Sequence, residues 1–300
     1  MTGMLTYQIP TIICTLLTCA SGGAAGAAAL SELLGRGRRA QLPLAVAALL
    51  CALGSIVALC SRFQRLDRVF NAFGQISSTL TQSLIAGLVL VAVAIALVVL
   101  VRSRGIGRPV AALALVCGLA GTFVSSRLLG GSTLIGGERV VLAVYCVALG
   151  AAVGAGLWWV VAAVRGNLAV ARGCARVTAG ADVALGICSA AWIAVLAASQ
   201  TATLGSYTDP TRITTQRAQA SDVVGTVLGG DLALPFWIGA ILVGVAIPLA
   251  LGIVGSRGKA TPATSRVASV VALVGVIAGS AAFQVVYVLS ALVGRVSVFN

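Results

Sequence analysis

Residues 84–101 read LIAGLVLVAVAIALVVLV, and this stretch decides the fold. It holds no polar side chain and stops at Arg102 and Arg104. A helix needs roughly 20 apolar residues to cross a bilayer's hydrocarbon core. Lipid offers no partner to the backbone, so every peptide group must be satisfied within the protein. The stretch lacks the alternation of a barrel strand and is therefore read as a transmembrane helix. Outward from it, seven more such stretches can be drawn, giving spans at 9–30, 42–60, 84–101, 109–126, 140–164, 179–199, 232–254 and 267–293. The expectation is an all-α polytopic membrane protein, about eight helices in one bundle, with residues 1–300 forming a single integral membrane domain.

Composition agrees. Hydrophobic residues make up 59% of the chain and charged residues 9%, with mean hydropathy +1.08. A soluble domain carries about a quarter charged residues. Small residues at 22–29 could suit a signal peptidase, but no Lys or Arg precedes Arg36, so the first span is expected to be retained.

The chain contains no histidine, which removes the commonest proton acceptor and the usual haem and metal ligand. Its eight cysteines, at 14, 19, 51, 60, 117, 146, 174 and 188, include no CxxC pair. Without histidine partners or metal-ligand spacing they read as small apolar fillers, and no haem, iron–sulfur cluster or metal is expected in this chain.

The net charge of +13 comes from twenty basic residues, nineteen of them arginine. They are spread among the loops rather than gathered in a patch, which argues against nucleic acid as a partner. Odd-numbered loops carry twelve of them, including Arg36, Arg38, Arg39, Arg102, Arg165 and Arg266, against eight on the other face. Asp67, Glu138, Asp209, Asp222 and Asp231 fall on that second face. By the positive-inside rule the odd loops are cytoplasmic and both termini extracytoplasmic. The longer connections, 61–83 and 200–231, then lie outside and could receive a soluble partner. Gly22/Gly26, Gly150/Gly154 and Gly275/Gly279 have helix-packing spacing. No internal repeat is evident.

The connection 61–83, SRFQRLDRVFNAFGQISSTLTQS, is the most polar segment with chemistry to offer. Arg62, Arg65 and Arg68 recur every three residues, with Phe63, Phe70 and Phe73 among them. Such a segment can bury rings at the interface while presenting cations and amides. A quinone head group would suit it, and lipid phosphates would suit it equally.

The run Arg68-Val69-Phe70-Asn71, the Ser/Thr-rich approach to the third span and the order of eight spans resemble the membrane anchor subunit of the dimethyl sulfoxide reductase family. A small-residue fifth span and the closing stretch from Gly279 through Phe283 to Tyr287 add to the likeness. The resemblance implies a non-catalytic anchor for a molybdopterin catalytic subunit and an iron–sulfur subunit in the bacterial cytoplasmic membrane. Such an anchor binds menaquinol, passes its electrons to the iron–sulfur partner in anaerobic respiration, and carries no haem. The quinol site it implies comprises Arg62, Asp67, Arg68, Asn71 and Ser83.

The chain also departs from the family. Arg62 stands where the family has histidine, Ser83 about where it has glutamate, and Ser280 roughly where it has arginine in the last span. Quinol oxidation releases protons, and arginine stays protonated. Asp67 is the one carboxylate in the segment and the candidate acceptor, unless it is paired with a neighbouring arginine. An anchor without a working quinol site is therefore an alternative, as is a structural or assembly protein. A small-molecule or ion transporter is another, because ionisable residues inside spans are costly and mark function. Asp182 is the one acid clearly in a span, expected near its cytoplasmic end and within reach of capping or of Arg176.

Overall fold

The computed structural model describes residues 2–35, 38–62, 78–103, 105–130, 136–199, 221–257 and 261–299. Among these, every regular element is a helix, and eight helices are long and apolar enough to cross a membrane. In chain order the α-helices are α1 (Thr2–Leu33), α2 (Gln41–Ser61), α3 (Thr79–Ser103), α4 (Arg108–Gly130), α5 (Gly136–Val164), α6 (Leu168–Ser199), α7 (Ser221–Leu228), α8 (Ile247–Ser256) and α9 (Pro262–Phe299), of which the short α7 is not part of a span. A π-helical segment, Pro235–Ala246, runs directly into α8 and completes the seventh span. The seventh span is thus not broken at Pro248. A proline cannot donate to the carbonyl four residues back, and the wider winding before it, with Ile247 donating to the Leu242 carbonyl, absorbs the mismatch.

The largest difference from the expected boundaries is α6, which starts at Leu168 rather than near 179. Arg172 and Arg176 had argued for a loop, but both are exposed on a continuous helix, as long cationic side chains at a membrane interface can be. Gly166, at φ 73°, closes α5, and the Asn167 side-chain oxygen then accepts from the Val170 amide at 3.2 Å to open α6.

The helices form two four-helix units. In the first, α1 packs on α2, α2 on α3, α3 on α4, and α4 back on α1. In the second, α5 packs on α6, α6 on α8, the π segment and α8 on α9, and α9 back on α5. The cyclic order is the same in both, a repeat not evident in the sequence. The units meet chiefly through α1 and α5, flanked by α4·α5 and α1·α9 contacts. Four spans return the chain to its starting side, so α1 and α5 run in the same direction.

That central contact depends on glycine. A Cβ on Gly22 would lie 2.6 Å from the Gly118 carbonyl oxygen of α4, and one on Gly23 would collide with Gly150 in α5. Lipid tails are as apolar as leucine, so helices in a bilayer gain little by hiding apolar surface and rely on close packing. Outward-facing Leu50, Val57, Val99 and Ile187 are exposed, as a lipid-facing belt should be.

Hydrogen bonds tie the odd-numbered connections together at one end. Arg165 donates to the Arg39 carbonyl, and Arg266 donates to the carbonyls of Ala163 (3.2 Å) and Val164 (3.3 Å). Arg266 thereby satisfies the last carbonyls of α5 with a cation, the favourable sign at a helix C-terminus. Arg266→Ala is expected to cost about 1 kcal/mol and lower the Tm by a few degrees in detergent; an unchanged Tm would show that water replaces these bonds without loss.

Candidate functional site

Of the five residues expected at the quinol site, Arg62 and Ser83 are described; Asp67, Arg68 and Asn71 lie outside the described residues, as do Arg65 and the three phenylalanines. Arg62 follows the C-terminus of α2 and is half-buried. Burial pulls its guanidinium below the ordinary value, opposed by the nearby Cys14 thiol. Arginine starts so high that it remains a cation, a donor and not a proton acceptor. Ser83 is buried in α3, and its hydroxyl donates to the Thr79 carbonyl at 2.8 Å.

The structure supplies a context for these two residues that single positions did not suggest. In the first unit, at the end opposite Arg39 and Arg165, all four helices carry buried hydroxyls: Thr11, Thr15 and Thr18 on α1, Ser55 on α2, Thr81 and Ser83 on α3, Ser125 and Ser126 on α4. Most donate to their own helix backbone, for example Thr15 to the Thr11 carbonyl at 2.9 Å and Ser125 to the Thr122 carbonyl at 2.8 Å. A hydroxyl that donates in this way can also accept, so these side chains bring acceptor oxygens into the core. The Thr11 hydroxyl has no hydrogen-bond partner. At the same end Arg127 donates to the Gln82 side-chain oxygen at 3.3 Å, joining α4 to α3. The sequence reading missed this pair, although Gln82 adjoins Ser83 and Arg127 interrupts an apolar helix.

The second unit carries an aromatic cluster at the same end. Tyr145 of α5 stacks on Phe283 of α9 with ring centroids 4.2 Å apart, and Trp192 of α6 meets Phe283 edge-on at 5.3 Å. Ser280, expected near the family's arginine position, is hydrogen-bonded to Tyr145. Gln284 is fully buried beside this cluster, and neither of its amide atoms has a partner. Nothing in the local sequence distinguished it from a lipid-facing glutamine.

Asp182 is also fully buried, and neither carboxylate oxygen finds a hydrogen bond. Its expected position near a helix end is corrected by the early start of α6. Fourteen residues from Leu168, at 1.5 Å each, place it about 21 Å along the helix, near the middle of the span. Pairing with Arg176 is likewise not found. Six residues of α-helix turn the two side chains to different faces, and Arg176 is exposed.

All eight cysteines are unpaired thiols within helices, and no group of three or more metal-ligating side chains occurs among the described residues.

The fold defines a polytopic α-helical membrane protein with two four-helix units. No family model, curated protein or solved structure matches the chain.

Proposed function

We propose that this chain is the membrane anchor subunit of a molybdopterin/iron–sulfur oxidoreductase complex in the bacterial cytoplasmic membrane. It binds menaquinol and passes the electrons to an iron–sulfur partner in anaerobic respiration. The observation that supports this reading is the set of buried hydroxyls in the first unit, at the end from which the segment with the Arg68-Val69-Phe70-Asn71 run leaves α2 and enters α3. Bundle cores commonly build ligand sites from side chains on facing helices. A quinol carries two hydroxyl donors on an apolar body, and hydroxyl oxygens that can accept within an apolar core complement it.

In this reading Arg62, Arg68, Asn71 and Ser83 position the quinol head group. Oxidation of one quinol to quinone releases two electrons and two protons. The electrons pass to the iron–sulfur subunit, and Asp67 takes a proton on its way to water. The basic end faces the cytoplasm, so both termini and the longer connections are extracytoplasmic, where the catalytic and iron–sulfur subunits dock. Purified in mild detergent, the tagged chain should bring with it a molybdenum protein and an iron–sulfur protein in comparable amounts. Arg68→Ala should then weaken binding of a quinol analogue about tenfold or more without dispersing the complex. A single chain free of molybdenum and iron would sink the anchor reading.

Asp182 favours a second reading, a proton-coupled transporter. A carboxyl buried within a span without a hydrogen-bond partner is expensive to keep and is typical of proton pathways. Four spans per unit in the same cyclic order also match the parallel repeats of some carriers. Proton-driven uptake into sealed vesicles, lost in Asp182→Asn, would decide for it.

A further inference from the structure

A groove and a cleft meet at the basic end of the bundle. The groove, about 740 Å³, opens between α4 on one side and α5 and α6 on the other, with Gly22, Gly23 and Gly26 of α1 as its floor. Its lining is almost wholly apolar. Along α5 it extends from Trp158 to Val147, eleven residues, or about 16 Å at the helical rise. A hydrocarbon core is ~30 Å thick, so the groove reaches about as deep as one leaflet. The cleft, about 490 Å³, lies beside it and is lined by Arg39, Arg165 and Asn167. Trp158 and Val170 line both spaces, which are therefore neighbours. No carboxylate lines the cleft among the described residues. Trp158 is 8% exposed, and its indole N–H has no hydrogen-bond partner in the protein.

A stripe of small residues would be explained by helix packing alone. Two further facts point to a ligand. The floor glycines already touch α4 and α5, yet Gly173 on the α6 wall has nothing within 4 Å of a would-be Cβ, so the packing leaves the groove open there. The two arginines then line a cleft at one mouth of the apolar groove, where a membrane keeps its head groups. Arginine binds phosphate oxygens through paired N–H donors.

We infer that this groove and cleft bind one anionic phospholipid of the leaflet at the basic end, an acyl chain along the α1 floor and the phosphate against Arg39 and Arg165. The ligand is a structural lipid held between helices, bridging the two four-helix units where α1, α4, α5 and α6 meet. The inference stands apart from the proposed electron-transfer role, since it concerns the opposite end of the bundle.

The test uses the full chain purified in detergent and titrated with phosphatidylglycerol, phosphatidylcholine or inorganic phosphate, with bound lipid read by native mass spectrometry. Phosphatidylglycerol should be retained and raise the Tm, phosphatidylcholine should do so about tenfold more weakly, and inorganic phosphate should not compete. Arg39→Gln removes one cation while keeping the carbonyl that Arg165 uses, and should weaken phosphatidylglycerol about fivefold or more with little effect on phosphatidylcholine. Gly173→Leu puts a side chain into the groove at a position with open space around the Cβ, and should weaken both lipids while leaving the lipid-free Tm unchanged. Equal retention of the two lipids, or unchanged phosphatidylglycerol binding in both variants, would overturn the inference. Effective competition by inorganic phosphate would reduce the site to an anion cleft and overturn the lipid assignment.

Discussion

Gly23→Leu is expected to prevent the two four-helix units from joining, so that the chain elutes as aggregate or as a broadened species with a much lower Tm. The Gly23 backbone lies against Gly150 and Gly154 of α5, and a first side-chain carbon there would already occupy the space of the Gly150 carbonyl. Relief requires α1 to move away from α5. That motion also disturbs the contact on its other side, where a Cβ at Gly22 would stand 2.6 Å from the Gly118 oxygen. Overpacking in a core typically costs about 1–3 kcal/mol. Here the obstructing atoms are backbone, which cannot turn aside as a side chain can, so the upper end of that range or beyond is expected. Gly173→Leu serves as the control, since a Cβ there meets no atom within 4 Å. If Gly23→Leu matched the parent in Tm and elution, the close α1–α5 contact would be wrong.

Asp182→Leu should move stability the other way. The parent buries two carboxylate oxygens without hydrogen bonds in the middle of α6. Leaving a polar group unsatisfied away from water costs about 1–3 kcal/mol by the measure of protein mutants. Leucine has similar volume and no such requirement, so the Tm should rise by several degrees. Asp182→Asn keeps the polar atoms and the shape and should leave the Tm nearly where it was. A residue retained at a cost to stability is a candidate for function. Both variants should therefore abolish proton-driven uptake if the transporter reading holds, and both should leave quinol-linked electron transfer intact if the anchor reading holds. A lower Tm for the leucine variant would mean that the carboxylate has a stabilising partner.

Individual elements show how far the sequence could be read. The run 84–101 identified α3 without ambiguity because hydropathy alone places it, and the other spans followed by the same arithmetic. The start of α6 was misplaced because Arg172 and Arg176 look like loop charges when only hydropathy is weighed, whereas the Asn167 cap and the alanines around them favour continued helix. That one boundary moved Asp182 from a helix end to mid-span. Ser83 was legible as part of a polar segment, but its place at the end of the unit that also buries Thr11, Thr15 and Ser125 was not, because those positions are distant in sequence and come to one end only when the helices pack.

The amino-acid sequence by itself determined that this chain is helical and that it is apolar enough to cross a membrane about eight times. Each of these follows from a local quantity, the cost of placing a given side chain or peptide group in hydrocarbon. Only the tertiary structure decided that the eight spans form two four-helix units of like order, that α1 and α5 join them through glycine, and that Asp182 and Gln284 are sealed without partners. Those outcomes depend on which helix faces approach closely enough to touch. In lipid that choice rests on the fit of small residues between helices far apart in the chain, a property no single segment contains.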